Sequence, residues 1–472
     1  MNKPFAHQLK SLKHNETTPI VFDCSDPGTG KTAVRIWAAE KRIKRRLVKK
    51  VLVLAPKSLL RAVWQADFKK FAPHLRTVVS TAGEHEAAFK VPAHIYITNT
   101  DAVKWLAKQP KSFFKDFDEL IVDESPAYKH HTSQRSKAAK KIVKYFKFRT
   151  CMTGTPNSNS ITDVWHQVML LDDGKRLGQS FYSFRLAVCE PVQVGRSDKA
   201  IRWNDKEGAE EVVFGLLNDI VIRHRFEDCV DIPANHRYTM PYEMSTRQRK
   251  AYDEMERSSM MAIYGADYRT ALAKAALTGR KPQPLAHITA VHAASVRTKL
   301  LQIASGAVYE TEDQYHVIDE GRYQMVLDLV EERKHSVVFF LWKHQRDLMA
   351  AEADKRGIKY RVIDGSTKDR DRAEITKAYQ GGAYQTLFLH PQSAAHGLTL
   401  TRGTSTIWAS PTYNAEWFEQ GYKRIYRLSQ TQKTETITII ADGTCERYVY
   451  NDVLMPKTRR MANLLDLFTV TA

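Results

Sequence analysis

The stretch PIVFDCSDPGTGKTAVRIWAAEKRIKRR, residues 19–46, joins a short apolar run to a helix-like run through a glycine-rich loop. The loop, DPGTGKT at 26–32, has the pattern of a phosphate-binding loop, which needs a strand before it and a helix after it. Gly28 and Gly30 let the backbone turn its N–H groups toward phosphate oxygens, and the helix N-terminus adds partial positive charge. The stretch therefore predicts a nucleotide-binding α/β lobe.

The residues of this loop have separate expected roles. Lys31 is expected to reach the β- and γ-phosphates of ATP, and the Thr32 hydroxyl is expected to bind Mg²⁺. Pro27 and Thr29 complete the set of predicted nucleotide contacts. The full phosphate-loop pattern has glycine where Ser25 stands. This departure changes the kind of NTPase that is predicted, but the prediction of an NTPase stays.

An acidic pair completes the predicted ATP site. Asp123 and Glu124 follow the apolar run LIV in DELIVDES, residues 118–125. At the carboxyl end of a buried strand, Asp123 is expected to hold Mg²⁺ and Glu124 to act as general base toward the attacking water.

Apolar, β-branched runs alternate with helix-like stretches in two separate series. This alternation predicts parallel sheets covered by helices. The first series is PIVFDC (19–24), VLVLAP (51–56), AHIYITN (93–99), DELIVDES (118–125) and FRTCMTG (148–154). The second is VVFFLW (337–342), YRVIDG (360–365), YQTLFLH (384–390), TSTIWAS (404–410) and ETITII (435–440). Between them, HRYTMPYEM (236–244) alternates like a strand and residues 287–306 read as a helix.

The bulk composition points to a polyanionic partner and to no membrane. The net charge is +19, and a chain this basic favours nucleic acid, whose counterions are released on binding. No apolar run approaches the length of a membrane span, and MNKPFAHQLKSLKHNE lacks the apolar core of a signal peptide. The five cysteines are scattered, as expected for reduced thiols, so we expect a cytoplasmic protein.

Further motifs follow the phosphate loop in a fixed order. In the N-terminal half they are LAPKSLL (54–60), ITNTD (97–101), DESPAYKH (123–130) and MTGTPNSN (152–159). In the C-terminal half they are RVIDGSTKDRDRAEITKAYQ (361–380), SAAHGLTLTRGTSTIWASPTYNAEWFEQ (393–420) and QGYKRIYRLSQ (420–430). In this order they resemble the motifs of superfamily 2 helicases and translocases of the Swi/Snf-like kind, in their compact phage or bacterial form. IVIRHRFEDCVDIP (220–233), followed by MSTRQRKAYDEM (244–255), resembles the junction between the two lobes of that family. Pro126 and Ser429 depart from the family pattern without removing a charged group.

The resemblance implies an α/β fold of two RecA-like lobes, each a mainly parallel sheet flanked by helices. We place the first lobe at 1–235, with a helical insertion at about 160–230. The second lobe takes 236–472, with a helical insertion at about 245–320.

The second lobe is expected to complete the ATP site. Arg424 and Arg427 are three residues apart, so on a helix they would share a face and could reach the γ-phosphate across the cleft. The family pattern also implies supporting roles for Gly397, Gln420 and Gln430. Gln8, after PFAH, resembles the glutamine that reads the adenine edge.

DNA contacts are expected on both lobes through the phosphate backbone rather than the bases. In the first lobe the candidates are Lys57, Ser58, Thr98 and Asn99. In the second lobe they are Lys343, His396, Thr399, Thr401 and Arg402. Each of them alone could be a polar side chain exposed to solvent without a DNA contact. As a set they would line one DNA backbone.

The resemblance implies an ATP-dependent motor, requiring ATP and Mg²⁺, that moves along duplex or branched DNA and remodels forks or junctions. Two other functions stay open: the motor subunit of a restriction or defence complex, and a DNA-binding scaffold that does not hydrolyse ATP. We expect a monomer, in a bacterial cell or a phage-infected host, with replication or recombination proteins as partners.

Overall fold

The computed structural model describes residues 3–193, 201–229, 231–264, 277, 290–394 and 398–469. They form two mainly parallel sheets flanked by helices, which confirms the predicted α/β fold of two RecA-like lobes. The first sheet is built from the N-terminal half of the chain and the second from the C-terminal half.

Strands and helices alternate along the N-terminal half of the chain. Its strands are β1 (Ile20–Asp23), β2 (Lys50–Ala55), β3 (Thr77–Ser80), β4 (Ile95–Asn99), β5 (Phe117–Asp123), β6 (Phe148–Met152), β7 (Cys189–Gln193), β8 (Ile201–Asp205) and β9 (Val221–Ile222). Its α-helices are α1 (Ala6–Thr17), α2 (Lys31–Lys44), α3 (Ala66–Phe71), α4 (His85–Lys90), α5 (Val103–Leu106), α6 (Gln134–Val143), α7 (Asp163–Asp172), α8 (Phe181–Val188), α9 (Ala209–Leu217) and α10 (Phe226–Cys229). Shorter 3₁₀ turns occupy Lys57–Leu59, Thr100–Ala102, Lys111–Phe114 and Ser125–Tyr128, and a π-helical turn occupies Leu60–Gln65.

The first sheet has the strand order β3-β4-β2-β5-β6-β1-β9, with every pair parallel. Its central strands β1 and β5 both pair with β6, so their carboxyl ends meet at one edge. The phosphate loop follows β1 and the acidic pair ends β5, and the sheet therefore brings them together, as parallel α/β folds do with ligand sites.

The C-terminal half also forms a parallel sheet flanked by helices. Its strands are β10 (Asn235–Tyr242), β11 (Ala307–Tyr309), β12 (Tyr315–Val317), β13 (Ser336–Phe339), β14 (Tyr360–Ile363), β15 (Thr386–Leu389), β16 (Ser405–Trp408) and β17 (Thr434–Ala441). Its α-helices are α11 (Thr246–Tyr264), α12 (Ala290–Ala304), α13 (Gly321–Arg333), α14 (Lys343–Arg356), α15 (Asp369–Gln380), α16 (Pro391–Ala394), α17 (Ala415–Tyr422), α18 (Cys445–Tyr448) and α19 (Met455–Thr469), and Val449–Leu454 forms a π-helical turn. The second sheet runs β10-β17-β16-β13-β15-β14, again all parallel.

The two segments predicted as helical insertions also contain strands. The antiparallel pairs β7–β8 and β11–β12 lie within them, and β9 joins the edge of the first sheet. The strands β7 and β8 are five residues each and largely solvent-facing, so their sequences carry little of the apolar alternation that marks a strand.

The C-terminal helix α19 returns to the first lobe. Met461, Leu464, Leu465 and Phe468 are buried in the same apolar cluster as residues of α9 and of the first sheet. The rings of Phe468 and Phe214 lie 5.9 Å apart. The predicted division at residue 235 stays a prediction, but α19, which it assigns to the second lobe, packs on the first.

Candidate active site

The phosphate loop is held in a conformation that requires its glycines. Gly28 and Gly30 have φ of +95° and +82°, the left-handed region that residues with a Cβ rarely adopt. A Cβ on Gly30 would lie 2.2 Å from Nε2 of Gln8, and one on Gly28 would lie 3.0 Å from the Phe226 ring. The backbone conformation therefore favours glycine at both positions, and Gly30 forms the N-cap of α2.

Lys31 opens α2 and turns its ammonium group back over the loop. Its Nζ donates to the carbonyl oxygens of Ser25 (2.5 Å) and Asp26 (3.2 Å). Burial lowers the pKa of Lys31, and the charges of Asp23 and Glu124 oppose that shift. Lys31 is thus surrounded by acceptors at the mouth of the loop, with Thr32 following it in the first turn of α2.

The acidic pair lies where β5 ends, and a tryptophan fixes its first member. The indole Nε1 of Trp64 donates to Oδ2 of Asp123 at 2.8 Å, and both side chains are buried. Glu124 has φ of +55°, an uncommon conformation for a residue with a side chain, of the kind that clusters at functional sites. Sequence reasoning missed Trp64, because no spacing rule links it to Asp123.

Ser125 connects the acidic pair to the segment MTGTPNSN. Its hydroxyl donates to Oε1 of Gln167 at 2.7 Å, and Nε2 of Gln167 donates to the carbonyl oxygen of Pro156 at 2.8 Å. Gln167 is fully buried in α7. A shift of either segment therefore breaks a buried hydrogen bond, which couples the two mechanically.

Arg424 and Arg427 extend from the second lobe toward this site. Burial, and then the like charge of Arg427, lower the pKa of Arg424. The negative charge of Glu124 opposes this shift, so Glu124 of the first lobe acts on Arg424 of the second. Arg427 donates through Nη1 to the Thr399 hydroxyl (3.0 Å) and through Nε to the carbonyl oxygen of Lys423 (2.9 Å). The expectation that one helix carries both arginines was wrong, because α17 ends at Tyr422 and turns position them.

Asp26 in the phosphate loop forms a direct ionic link to the second lobe. Its Oδ1 accepts from Lys423 Nζ at 2.8 Å and from Arg223 Nη1 at 3.0 Å. Its Oδ2 accepts from the Phe226 backbone N–H at 3.0 Å. Burial opposes ionisation, but the charges of Lys423 and Arg223 outweigh it and lower the pKa of Asp26. The sequence reading assigned no role to Lys423, whose partner lies 397 positions away.

Gln8 lies against the phosphate loop. Its Nε2 donates to the carbonyl oxygen of Thr29 at 3.2 Å, and its Oε1 accepts from the Phe5 backbone N–H at 3.0 Å. The position agrees with a nucleotide-side role, and contact with adenine stays a prediction. Gln420 is buried in α17, and Gly397 lies outside the described residues.

The candidate DNA contacts of the first lobe divide into two groups. Lys57 is exposed and Ser58 half-buried directly after β2, and Asn99 is half-buried at the end of β4. Thr98 was a wrong prediction as a side-chain contact. It is fully buried, because β4 is covered on both faces, and its hydroxyl donates to the Ser80 carbonyl oxygen at 2.9 Å.

In the second lobe, only some candidates lie at the carboxyl edge of the sheet. Lys343 is half-exposed at the start of α14 and forms an ion pair with Asp313. Thr399 is engaged by Arg427. Thr401 and Arg402 precede β16 and lie beside His335, which precedes β13. They are at the amino edge, so the prediction that they line one backbone with Lys343 was wrong, and His396 lies outside the described residues.

A phosphate loop and acidic pair on one parallel sheet, facing arginines from a second, define a two-lobed nucleotide hydrolase of the helicase class. The chain belongs to the SNF2-related family. The family model of the SNF2-related domain matches residues 9–283, and that of the helicase conserved C-terminal domain matches residues 321–429. The protein is therefore an SNF2-type, ATP-dependent helicase or translocase core.

Similar proteins come from phage, bacteria, archaea and eukaryotes. Protein p41 of Acyrthosiphon pisum secondary endosymbiont phage 1 is 25% identical over 93% of this chain and 92% of its own. An uncharacterised ATP-dependent helicase of Mycoplasma genitalium is 22% identical over 93% of this chain, which spans only 40% of that relative. The solved Sulfolobus solfataricus SWI2/SNF2 ATPase core in complex with dsDNA is 18% identical, with a TM-score of 0.44, over 100% of this chain and 95% of that one.

Within the described part of the chain, no helix combines the length and apolar character needed to cross a membrane.

Proposed function

We propose that this enzyme couples ATP hydrolysis to movement along duplex or branched DNA, by contacts to the phosphate backbone. The observation that supports this best is the composite site between the lobes. Glu124 belongs to the first lobe and acts electrostatically on Arg424 of the second, and Asp26 of the phosphate loop pairs with Lys423. Because hydrolysis needs both lobes in contact, the gap between the lobes changes in each cycle of ATP hydrolysis. Such a motor moves along DNA by this opening and closing.

In the proposed reaction, water attacks the γ-phosphorus of ATP. The new P–O bond forms as the bond to the β–γ bridging oxygen breaks, and Glu124 takes the proton from water, giving ADP and phosphate. Lys31 and the two arginines stabilise the charge on the transferred phosphoryl oxygens.

Mg²⁺ fits the oxygen groups that this site offers. The Thr32 hydroxyl and the Asp123 carboxylate, the latter fixed by Trp64, are hard oxygen donors of the kind this ion prefers. When bound, Mg²⁺ neutralises charge on the phosphates. Thr32 would hold it directly and Asp123 through water.

Phosphate release with and without DNA tests the proposal. Duplex or branched DNA should stimulate turnover of the wild type. Lys31→Ala and Glu124→Gln should abolish turnover and leave DNA binding largely intact. The matched controls are Lys90→Ala and Glu86→Gln, whose side chains are 73% and 81% exposed and should be replaceable without effect.

Two outcomes separate the other functions. DNA binding without any stimulated turnover by the wild type would support a scaffold instead. Stimulated turnover with no action on forks, four-way junctions or blunt duplex would favour a motor that acts only within a larger complex.

A further inference from the structure

The amino edge of the second sheet carries a row of exposed basic side chains. Lys433 precedes β17, Arg402 precedes β16, Lys334 precedes β13, and Lys359 precedes β14. We call these four the amino-edge row. In the strand order β17-β16-β13-β15-β14 they span roughly 19 Å, at about 4.8 Å between neighbouring strands.

Acidic groups do not neutralise this row. Within the described part of the chain, no ion pair includes any of its four members. Glu435, the carboxylate at the start of β17, is already bonded to Arg333 and to the Tyr238 hydroxyl. The positive charge of the row therefore faces solvent, where it attracts polyanions.

Arg402 is held in position rather than loosely extended. Its Nε donates to Nε2 of His335 at 3.1 Å, and its backbone N–H donates to Oε1 of Gln380 at 3.0 Å. Its guanidinium lies against Gly382, where an added Cβ would be 2.6 Å from Nη2. Burial and the neighbouring cations lower the pKa of His335, so its neutral ring accepts this hydrogen bond near pH 7.

These groups line an open depression of the surface. Arg402 and His335 border about 390 Å³ of space together with Gln380, Thr401 and Gln432. The lining is basic and polar, and the depression lies at the same edge of the sheet as the lysines of the row. Such a surface suits phosphate oxygens, which accept hydrogen bonds from arginine and from amide groups.

The row lies on the opposite edge from the predicted DNA track. Lys343 follows the carboxyl end of β13, whereas Lys334 precedes its amino end, and the strand alone separates them by roughly 13 Å. A single backbone contacted by Lys343 at one edge does not also run along the other. The row therefore needs a different stretch of polyanion.

We propose that the amino-edge row binds the phosphate backbone of a second DNA arm, which makes branched DNA the preferred substrate of this enzyme. The inference rests on the proposed function and specifies its substrate class. Along roughly 19 Å a duplex carries about eleven charges, at one per about 1.7 Å, so four cations find partners without reading sequence.

The test removes charge from the row and compares two DNA substrates. The variant carries Lys334→Gln, Arg402→Gln and Lys433→Gln. The charge-matched control carries Lys137→Gln, Lys140→Gln and Lys141→Gln on the exposed face of α6 in the first lobe. The substrates are a four-way junction and a linear duplex no longer than one of its arms. Equilibrium binding and the DNA concentration for half-maximal ATP turnover are measured for both over a range of salt concentrations.

We expect the row variant to weaken junction binding about tenfold and to reduce its salt dependence by about 2–3 in the slope of log K against log salt. Linear duplex binding and maximal turnover should change less than about twofold. The control variant should affect binding of the junction and binding of the linear duplex to the same extent.

Unchanged junction affinity, or equal weakening on junction and linear duplex, would overturn the inference. Loss of junction binding by the control as well would attribute the effect to net charge and also overturn it. These failures differ from failure of the proposed function, in which the wild type shows no DNA-stimulated turnover although its binding to both substrates is still measured.

Discussion

At the scale of single residues, the candidate site depends on side chains that orient the groups expected to perform chemistry. Asp26 is an example. Its carbonyl oxygen accepts from Lys31 within the loop, and its carboxylate accepts from Lys423 of the second lobe. Because one residue contacts both, the position of the second lobe is transmitted to the lysine that faces the phosphates. Lys423 is thus a positioning residue.

Lys423→Met should lower kcat for ATP by about tenfold to a hundredfold, with a smaller change in KM, since misplaced groups affect the transition state most. Lys423→Arg should restore most of the activity, because it keeps a cation beside Asp26. Lys355→Met, at an exposed lysine of α14, is the control. Steady-state kinetics check this, and equal activity of the Met and Arg variants would show that the charge of Lys423 has no positioning role.

Trp64→Phe should raise the Mg²⁺ concentration needed for half-maximal turnover by about tenfold, because the Asp123 carboxylate loses the indole donor that orients it. Trp165→Phe is the matched control: its indole donates to the Gly178 carbonyl oxygen at 3.2 Å, away from the acidic pair. A general loss of stability would affect both variants, whereas only Trp64→Phe should shift the Mg²⁺ titration. Equal Mg²⁺ titrations of the wild type and Trp64→Phe would show that Trp64 does not affect Mg²⁺ binding.

At the scale of elements, the sequence predicted whatever depends on local pattern. The long buried strands β2, β4 and β5 and their neighbours follow from apolar runs, and the phosphate loop follows from its glycines. The hairpin β7–β8 did not, because its strands are short and mostly exposed.

The candidate site was predictable to the same extent. Lys31, Asp123 and Glu124 stand at fixed places relative to strands, so the sequence located them. Trp64 and Lys423 are joined to the site only by tertiary contacts, which spacing along the chain does not encode. Thr98 failed for a related reason: β4 is buried on both faces, so its residues are covered until the strand ends at the half-buried Asn99.

The packing of α19 on the first lobe gives the prediction for this scale. Leu464 is fully buried in the first-lobe cluster, so Leu464→Ala should lower the free energy of unfolding by about 2–5 kcal/mol. Leu428→Ala, at a leucine that is 47% exposed, should change it by less than about 0.5 kcal/mol. Urea unfolding measures both. A small effect of Leu464→Ala would mean that α19 adds little to the stability of the first lobe.

At the scale of the whole molecule, charged contacts connect the two lobes on both sides of the candidate site. Lys423 reaches Asp26, and on the other side Lys129 lies 3.6 Å from Asp163 and 3.8 Å from Glu416 of α17. The lobes are therefore joined at the nucleotide site by ion pairs, together with an apolar contact in which the rings of Phe226 and Tyr426 lie 5.6 Å apart. Ion pairs of this kind reform readily, which suits lobes that open and close.

Acid should destabilise the whole fold through two buried histidines. Burial lowers the pKa of His344 to about 3 and of His166 to about 4, from 6.5. Between about pH 4 and 6.5 the unfolded chain binds more protons than the folded one, so stability rises with pH there and is lost as pH falls below 6.5. From pH 7 to pH 5 each histidine should remove about 2 kcal/mol. His344→Gln should reduce this loss by that amount, whatever its effect at pH 7, and His316→Gln, at an exposed position, is the control. Urea unfolding at the two pH values decides the matter, and an identical loss in wild type and His344→Gln would place the acid sensitivity in other groups.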